Sequence, residues 1–230
     1  MNASILRVHL RAAALLAILI VLAPRPAPAG AWSFGASGGA ISDFTYTRFG
    51  SSGESFGPTV LAIVSADRPM RSGLSLHIES GTFGYDRDIP LVRIPEDPPS
   101  SERLSARFVP LAFGVRAQTP EHERTRSRVY AELSPTLFWT RFTRHLDERH
   151  GGFNGPVTET IHHDSFAELL PGIIAAAGVR SRISAHTAAE WGARYLFSSR
   201  VVHYAFRDIV GGDSRGLNDV AMTLGVSWTP

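Results

Sequence analysis

The sequence predicts an all-β fold, an eight-stranded antiparallel up-and-down transmembrane β-barrel preceded by a cleaved signal peptide. Three observations predict it. The one long apolar run lies at the amino terminus and is about a dozen residues long, too short to span a bilayer as a helix. Downstream, apolar residues alternate with small or polar ones at a period of two. The connections between these alternating segments are long and short by turns.

The amino terminus reads first. Met1 to Arg11 carries Arg7 and Arg11 and no acid, and Ala12 to Ala23 is wholly apolar. Pro24 to Ala29 follows, with Ala27-x-Ala29 as a small-x-small cleavage signal. Residues 1–29 are therefore expected to be a secretory signal peptide and residues 30–230 a single barrel domain. Cleavage removes Arg7, Arg11 and Arg25 and takes the formal charge from +2 to −1. The remaining chain has no second apolar run of spanning length, so the only membrane-spanning form open to it is a closed barrel.

Eight strands are expected, over Ala31–Thr45, Pro58–Asp67, Gly73–Tyr85, Leu104–Ala117, Arg128–Thr143, Ser165–Ile183, Thr187–Ser199 and Leu217–Thr229. The last is clearest. Val220, Met222, Leu224, Val226 and Trp228 are large and apolar, while Ala221, Thr223, Gly225 and Ser227 between them are small. In the fifth, Val129 to Trp139 at odd positions opposes Tyr130, Glu132, Ser134 and Thr136. One face suits lipid and the other the inside of a narrow barrel. Pro110, Pro135 and Pro171 fall within strands, where each removes a ladder donor, and bulges or irregular pairing are expected there.

The connections Tyr46 to Gly57, Asp86 to Arg103, Arg144 to Asp164 and Arg200 to Gly216 are long, and those between them are short. This sorting predicts four long external loops, short periplasmic turns and both mature termini on the periplasmic side. Phe44, Tyr46, Phe83, Tyr85, Trp139, Phe142, Tyr195 and Phe197 are expected in an external aromatic belt. Trp32, Phe34, Trp191 and Trp228 are expected in a periplasmic one.

Composition removes other classes. All 23 basic residues are arginine, set against 21 acids, so the charge balance carries no nucleic-acid footprint. There is no cysteine, which excludes disulfides, thiolate metal sites and a cysteine nucleophile.

The segments VYAELSPTLFWTRF, LLPGIIAAAGVRSRI, AAEWGARYLFSS and NDVAMTLGVSWTP resemble the strands of small eight-stranded bacterial outer-membrane barrels, the superfamily of the outer-membrane protein A membrane domain and its OmpX-like relatives. The last segment is similar to the family's carboxy-terminal insertion signal, but Thr229 and Pro230 follow Trp228 where an aromatic residue usually ends the chain. The resemblance implies a Gram-negative outer-membrane location, with partners in outer-membrane lipid, lipopolysaccharide and the barrel-assembly machinery, and a monomeric state. The sequence stops at the expected barrel, so no appended peptidoglycan-binding domain is expected, and no cofactor is expected.

Candidate chemistry is sparse. Some barrels of this architecture deacylate lipid A with a His-x-Ser pair and a glutamate. His163-Asp164-Ser165 with Glu168 matches that local pattern but fixes no third partner. The stretch Arg144 to Asp164 is rich in His and carboxylates without the spacing of a metal cage. The acidic, Pro-rich stretch Ile94 to Glu102 carries no motif; Arg200, Arg207 and Arg215 are expected in a solvated external loop, with contact to lipopolysaccharide phosphates as the alternative. No catalytic or metal residues are therefore assigned. The expected role is non-catalytic, in envelope integrity or in adhesion through the external loops. The alternatives are a lipid A-modifying enzyme and a small pore. An eight-stranded lumen has room only for side chains. Inward positions gather Arg116, Glu132, Arg180, Arg182, Glu190 and Arg194. A Glu132–Arg180–Glu190 cluster closing the lower lumen is expected, extended by Glu79 and Arg194.

Overall fold

A strand with one apolar and one small or polar face must pair both backbone edges and bury one face. In this chain each alternating segment does so with the segments before and after it. The structure is a computed structural model and describes residues 32–42, 45–46, 54–55, 58–71, 73–91, 100–124, 126–150, 158–199 and 217–230. The barrel strands are β1 (Ser33–Ile41), β2 (Thr59–Arg71), β3 (Leu74–Leu91), β4 (Ser100–Gln118), β5 (Ser127–His150), β6 (Thr158–Arg182), β7 (Thr187–Ser198) and β8 (Asn218–Trp228). All neighbours are antiparallel. β1 closes the barrel on β8 from Phe34↔Trp228 to Ile41↔Ala221, so the barrel sheet has no open edge. No helix among the described residues is long and apolar enough to cross a membrane. The proposed signal peptide lies outside the described residues.

The two ends of the barrel differ. At the turn end, β2–β3 closes at Gly73, whose φ of 74° is the left-handed conformation that glycine accepts. Residues 183–186 close β6–β7, and the start of β1 and the end of β8 lie beside them, with Thr229 N donating to His186 O. The opposite, hairpin end departs from expectation. The ladders run on to Leu91↔Ser100 in β3–β4 and to His150↔Thr158 in β5–β6. Asp86 to Arg103 and Arg144 to Asp164 are therefore largely hairpin arms, not loops. The arms are mostly polar in sequence, with Leu146 buried and Ile161 exposed, so the hydrophobic alternation fades while backbone pairing continues. A short ladder, Thr45↔Ser55 and Tyr46↔Glu54, flanks the Tyr46 to Gly57 connection. Arg200, Arg207 and Arg215 lie outside the described residues.

The prolines meet the expectation in part, with irregular pairing but no bulge at Pro110 and Pro135. The β4–β5 and β5–β6 registers do not shift at Pro110, Pro135 or Pro171. The β3–β4 ladder instead skips the pairs opposite Pro110, and the β4–β5 ladder those beside Pro135. The register shift in β2–β3 falls between Pro69 and Arg71.

Outward positions are apolar. Val60, Val64, Leu111, Phe113, Val129, Leu137, Leu169, Val220, Met222, Leu224 and Val226 are all exposed. Trp139, Tyr195 and Phe197 flank this band toward the hairpin end, and Phe34, Trp191 and Trp228 toward the turn end. Trp32 is half-buried, with the Arg68 guanidinium 5.7 Å from its ring centroid. Phe83, Tyr85 and Phe142 do not join the external belt. Strand parity turns them inward, where they are buried with Phe108 and Phe138. Phe83 stacks on Phe108 at 5.0 Å, and Phe108 meets Phe142 edge-on at 6.0 Å. Leu61, Ile41, Leu170, Ile174 and Leu196 complete an apolar upper lumen. Phe44 and the side chain of Tyr46 lie outside the described residues.

Candidate functional site: a charged lattice in the lower lumen

Below the aromatic storey the inward positions change from apolar to ionic. Three direct cross-strand pairs set the frame: Asp67↔His77, Arg116↔Glu132 and Arg180↔Glu190. Arg116 is the hub. Its Nη1 donates to Asp67 Oδ2 at 2.8 Å and to Glu190 Oε2 at 3.3 Å, and its Nη2 donates to Glu132 Oε2 at 3.1 Å. Its guanidinium carbon sits 4.7 Å from the centroid of the Tyr130 ring. Tyr130 reaches across the facing Gly178↔Gly192 pair, and a Cβ at either glycine would lie 2.7 or 2.8 Å from the Tyr130 hydroxyl. The two glycines leave the space in which this ring lies.

His77 is fully buried and is held at both nitrogens. Nδ1 lies 2.7 Å from Asp67 Oδ1, and Nε2 lies 3.1 Å from Glu79 Oε2 and 3.3 Å from Glu132 Oε1. Arg194 donates to Glu79 and lies 3.8 Å from Glu132 Oε1. A neutral imidazole has one N–H, yet both ring nitrogens here face carboxylate oxygens. One further proton, on the ring or on a facing carboxyl, fills both contacts. It also brings Asp67, Glu79, Glu132 and Glu190 into balance with Arg116, Arg180, Arg194 and His77. Buried charges are tolerated where they are paired in this way.

The register differs from the expected Glu132–Arg180–Glu190 arrangement. Glu132 pairs with Ala176 on β6, and Arg180 with Arg128 on β5. Arg180 meets Glu190 at 3.4 Å and Asp67 at 3.8 Å, so Arg116 and not Arg180 takes the central place. Arg182 is a correction of a different kind. It lies outside the lattice, about half exposed, with Nη2 on Glu121 Oε1 at 2.8 Å. Asp67 and His77 are the members that sequence reading did not single out. His77 sits at an inward odd position of β3, so its parity was visible. Asp67 closes the expected second strand, Pro58–Asp67, which is apolar on both faces, and nothing local marked it, whereas β2 runs on to Arg71.

The His77 imidazole and the Glu79 and Glu132 carboxylates offer ligand atoms within 4.8 Å of one another, donor types that a divalent cation takes. Arg116 and Arg194 already face these acids, and an added ion would bring two more positive charges beside them. The deacylase-like pattern does not assemble. His163 and Ser165 are exposed on the outer face of β6, while Glu168 has the opposite parity. The Ser165 hydroxyl accepts from Arg141 Nε at 3.3 Å, and the His163 ring faces His145 at 6.0 Å.

A closed eight-stranded barrel with an apolar outside and an ionic lower lumen is an inside-out protein, the architecture of a transmembrane β-barrel. Among solved structures it is similar to Neisserial surface protein A, at 12% identity over 89% of this chain and 100% of that one, TM-score 0.45. It is also similar to Ail, the attachment invasion locus protein of Yersinia pestis, at 9% identity over 86% and 98%, TM-score 0.42. A third is the N-terminal β-barrel domain of Pseudomonas aeruginosa OprF, at 10% identity over 87% and 98%, TM-score 0.37. No family model and no curated protein sequence matches the chain.

Proposed function

We propose that the chain is an integral outer-membrane barrel without catalytic activity, sealed along its lumen, which acts in envelope integrity or surface adhesion through its hairpin end. The observation that carries this reading is the filled interior. Phe108, Phe138 and Phe142 pack the upper lumen, and the Arg116 lattice spans the lower one. A conducting barrel needs a continuous wet path, and two stacked plugs of opposite polarity oppose it.

The apolar outer band supports residence in a bilayer, and the long β3–β4 and β5–β6 arms supply surface for contacts beyond it. On this reading the turn end and both termini face the periplasm. The partners are outer-membrane lipid, lipopolysaccharide and the barrel-assembly machinery during insertion. The working form is a monomer, with no role for nucleic acid.

Two assays test the proposal. The folded protein, identified by a mobility shift between boiled and unboiled samples, is placed in planar bilayers and is expected to show no ion conductance. Incubated with lipid A, it is expected to release no fatty acid. Steady single-channel currents would overturn the sealed lumen, and fatty-acid release would overturn the non-catalytic role. Recovery in the soluble periplasmic fraction would remove the location.

A further inference from the structure

Beneath the lattice, the turn end of the lumen opens into a cavity of about 320 Å³. Its walls carry four guanidiniums, Arg126, Arg128, Arg180 and Arg182, against two carboxylates, Glu121 and Asp67. Asp67 is already committed to Arg116 and His77. We infer that this mouth is a binding site for a soluble oxyanion of the phosphate or carboxylate type, taken up from the compartment that the turn end faces.

Three observations carry the inference. The first is charge crowding. Arg128 and Arg180 are direct cross-strand partners on the inward face, where like charges opposite one another destabilise a ladder; Arg180 is offset by Glu190 and Asp67 in the lattice above, and Arg128 only by Glu121 at the mouth. Arg182 follows two residues along the same face.

The second is the carboxylate already held there. Glu121, on the β4–β5 turn, places Oε2 at 3.1 Å from Arg128 Nη2 and Oε1 at 2.8 Å from Arg182 Nη2. Two guanidiniums converging on one carboxylate is the geometry in which arginine recognises oxyanions. Arg128 and Arg182 are each nearly half exposed, so an incoming anion reaches them without unfolding the mouth.

The third is Arg126. Its φ of 52° is a conformation that disfavours a non-glycine residue. Its backbone is pinned, N donating to His122 O at 2.7 Å and its carbonyl accepting from Arg182 N at 2.9 Å. Its guanidinium has no hydrogen-bond or ion-pair partner among the described residues. A strained backbone that carries an unpaired cation to the rim of a cationic cavity suits a ligand contact.

The cavity volume lies at the lower end of the range for small-molecule sites, so it fits a small anion. Phosphate or carboxylate groups could come from a free solute or from phospholipid headgroups. The inward parity of Arg128, Arg180 and Arg182 places them inside the barrel wall and favours the solute.

The test uses the full-length barrel folded in uncharged detergent. Inorganic phosphate and citrate are titrated by calorimetry at constant ionic strength against chloride. Saturable binding of at least one is expected. Arg128→Gln with Arg182→Gln should weaken it about tenfold or more, since each lost contact is charge-assisted. Arg126→Gly should weaken it too, while leaving the folded form at least as resistant to urea because the strain is relieved. Glu121→Gln removes the internal competitor and should tighten binding. Arg107→Gln at the hairpin end should change nothing. Absence of saturable binding by the folded wild type overturns the inference, as does undiminished affinity in the double variant or weaker binding in Glu121→Gln. In phosphatidylcholine nanodiscs the solute binding should persist. Occupancy that appears only with phosphatidylglycerol assigns the mouth to lipid headgroups and overturns the solute reading.

Discussion

Arg116 and Asp67 lie 49 residues apart in the chain and on strands that do not pair, yet Nη1 and Oδ2 meet at 2.8 Å across the lumen. The contact joins β4 to β2 through the interior. It makes Arg116 answerable to acids on three strands, since Glu132 and Glu190 meet the same guanidinium. Replacing Arg116 by Met leaves those carboxylates without their shared cation and should cost about 3–5 kcal/mol. Arg180→Met should cost less, because its side chain is partly solvated and makes longer contacts. Urea unfolding in lipid vesicles measures both. Equal losses would show that Arg116 is not the hub.

The lipid face gives a second prediction. Leu224 is about two-thirds exposed on the even face of β8, and Leu133 points outward from β5. Arginine at either position should cost about 2–4 kcal/mol if it lies near the bilayer midplane. Leu224→Ala should cost less than Leu224→Arg. Folding yield into vesicles reads the difference, and an Arg tolerated as well as Ala would reverse the assigned faces.

The aromatic storey gives a third. Phe142 is buried between Phe108 and Phe166, whereas Trp139, three positions away, faces outward. Phe142→Ala opens a cavity inside the barrel and should cost about 3–5 kcal/mol. Trp139→Ala removes only a headgroup-level contact and should cost less. The unfolding midpoints of the two variants should rank in that order.

The hairpin arms give a fourth. Deleting Glu148 to Thr158 removes the end of the β5–β6 ladder, including Glu148↔Thr160 and His150↔Thr158, and leaves the membrane-level pairs in place. The shortened chain should still form the detergent-resistant barrel, because joining the remaining arms changes loop-closure entropy only slowly with length. Electrophoresis with and without boiling checks it. Loss of the fast-migrating form would make the arm a structural element.

Strand number, order and facing were determined by the sequence alone. A strand presents alternate residues to opposite sides whatever its partner, so Val129 to Trp139 on one face and Tyr130 to Thr136 on the other could be assigned without coordinates. The same rule, carried through consistently, also turns Phe83, Tyr85 and Phe142 inward against the expectation of a belt. The extent of β3–β6 was not legible, because a polar hairpin arm pairs its backbone without leaving an alternation of hydrophobicity. The ion partners were not legible either. Glu132 faces Arg116 on one side and Ala176 on the other, and a shift of a few residues would have exchanged Arg180 for Arg116. That register is fixed only when β1 meets β8, because closing a barrel links the stagger of every strand to every other. Tertiary closure therefore decided that Asp67, His77, Glu79, Glu132 and Arg116 converge at one depth. Each strand by itself could decide only that its own residue points inward.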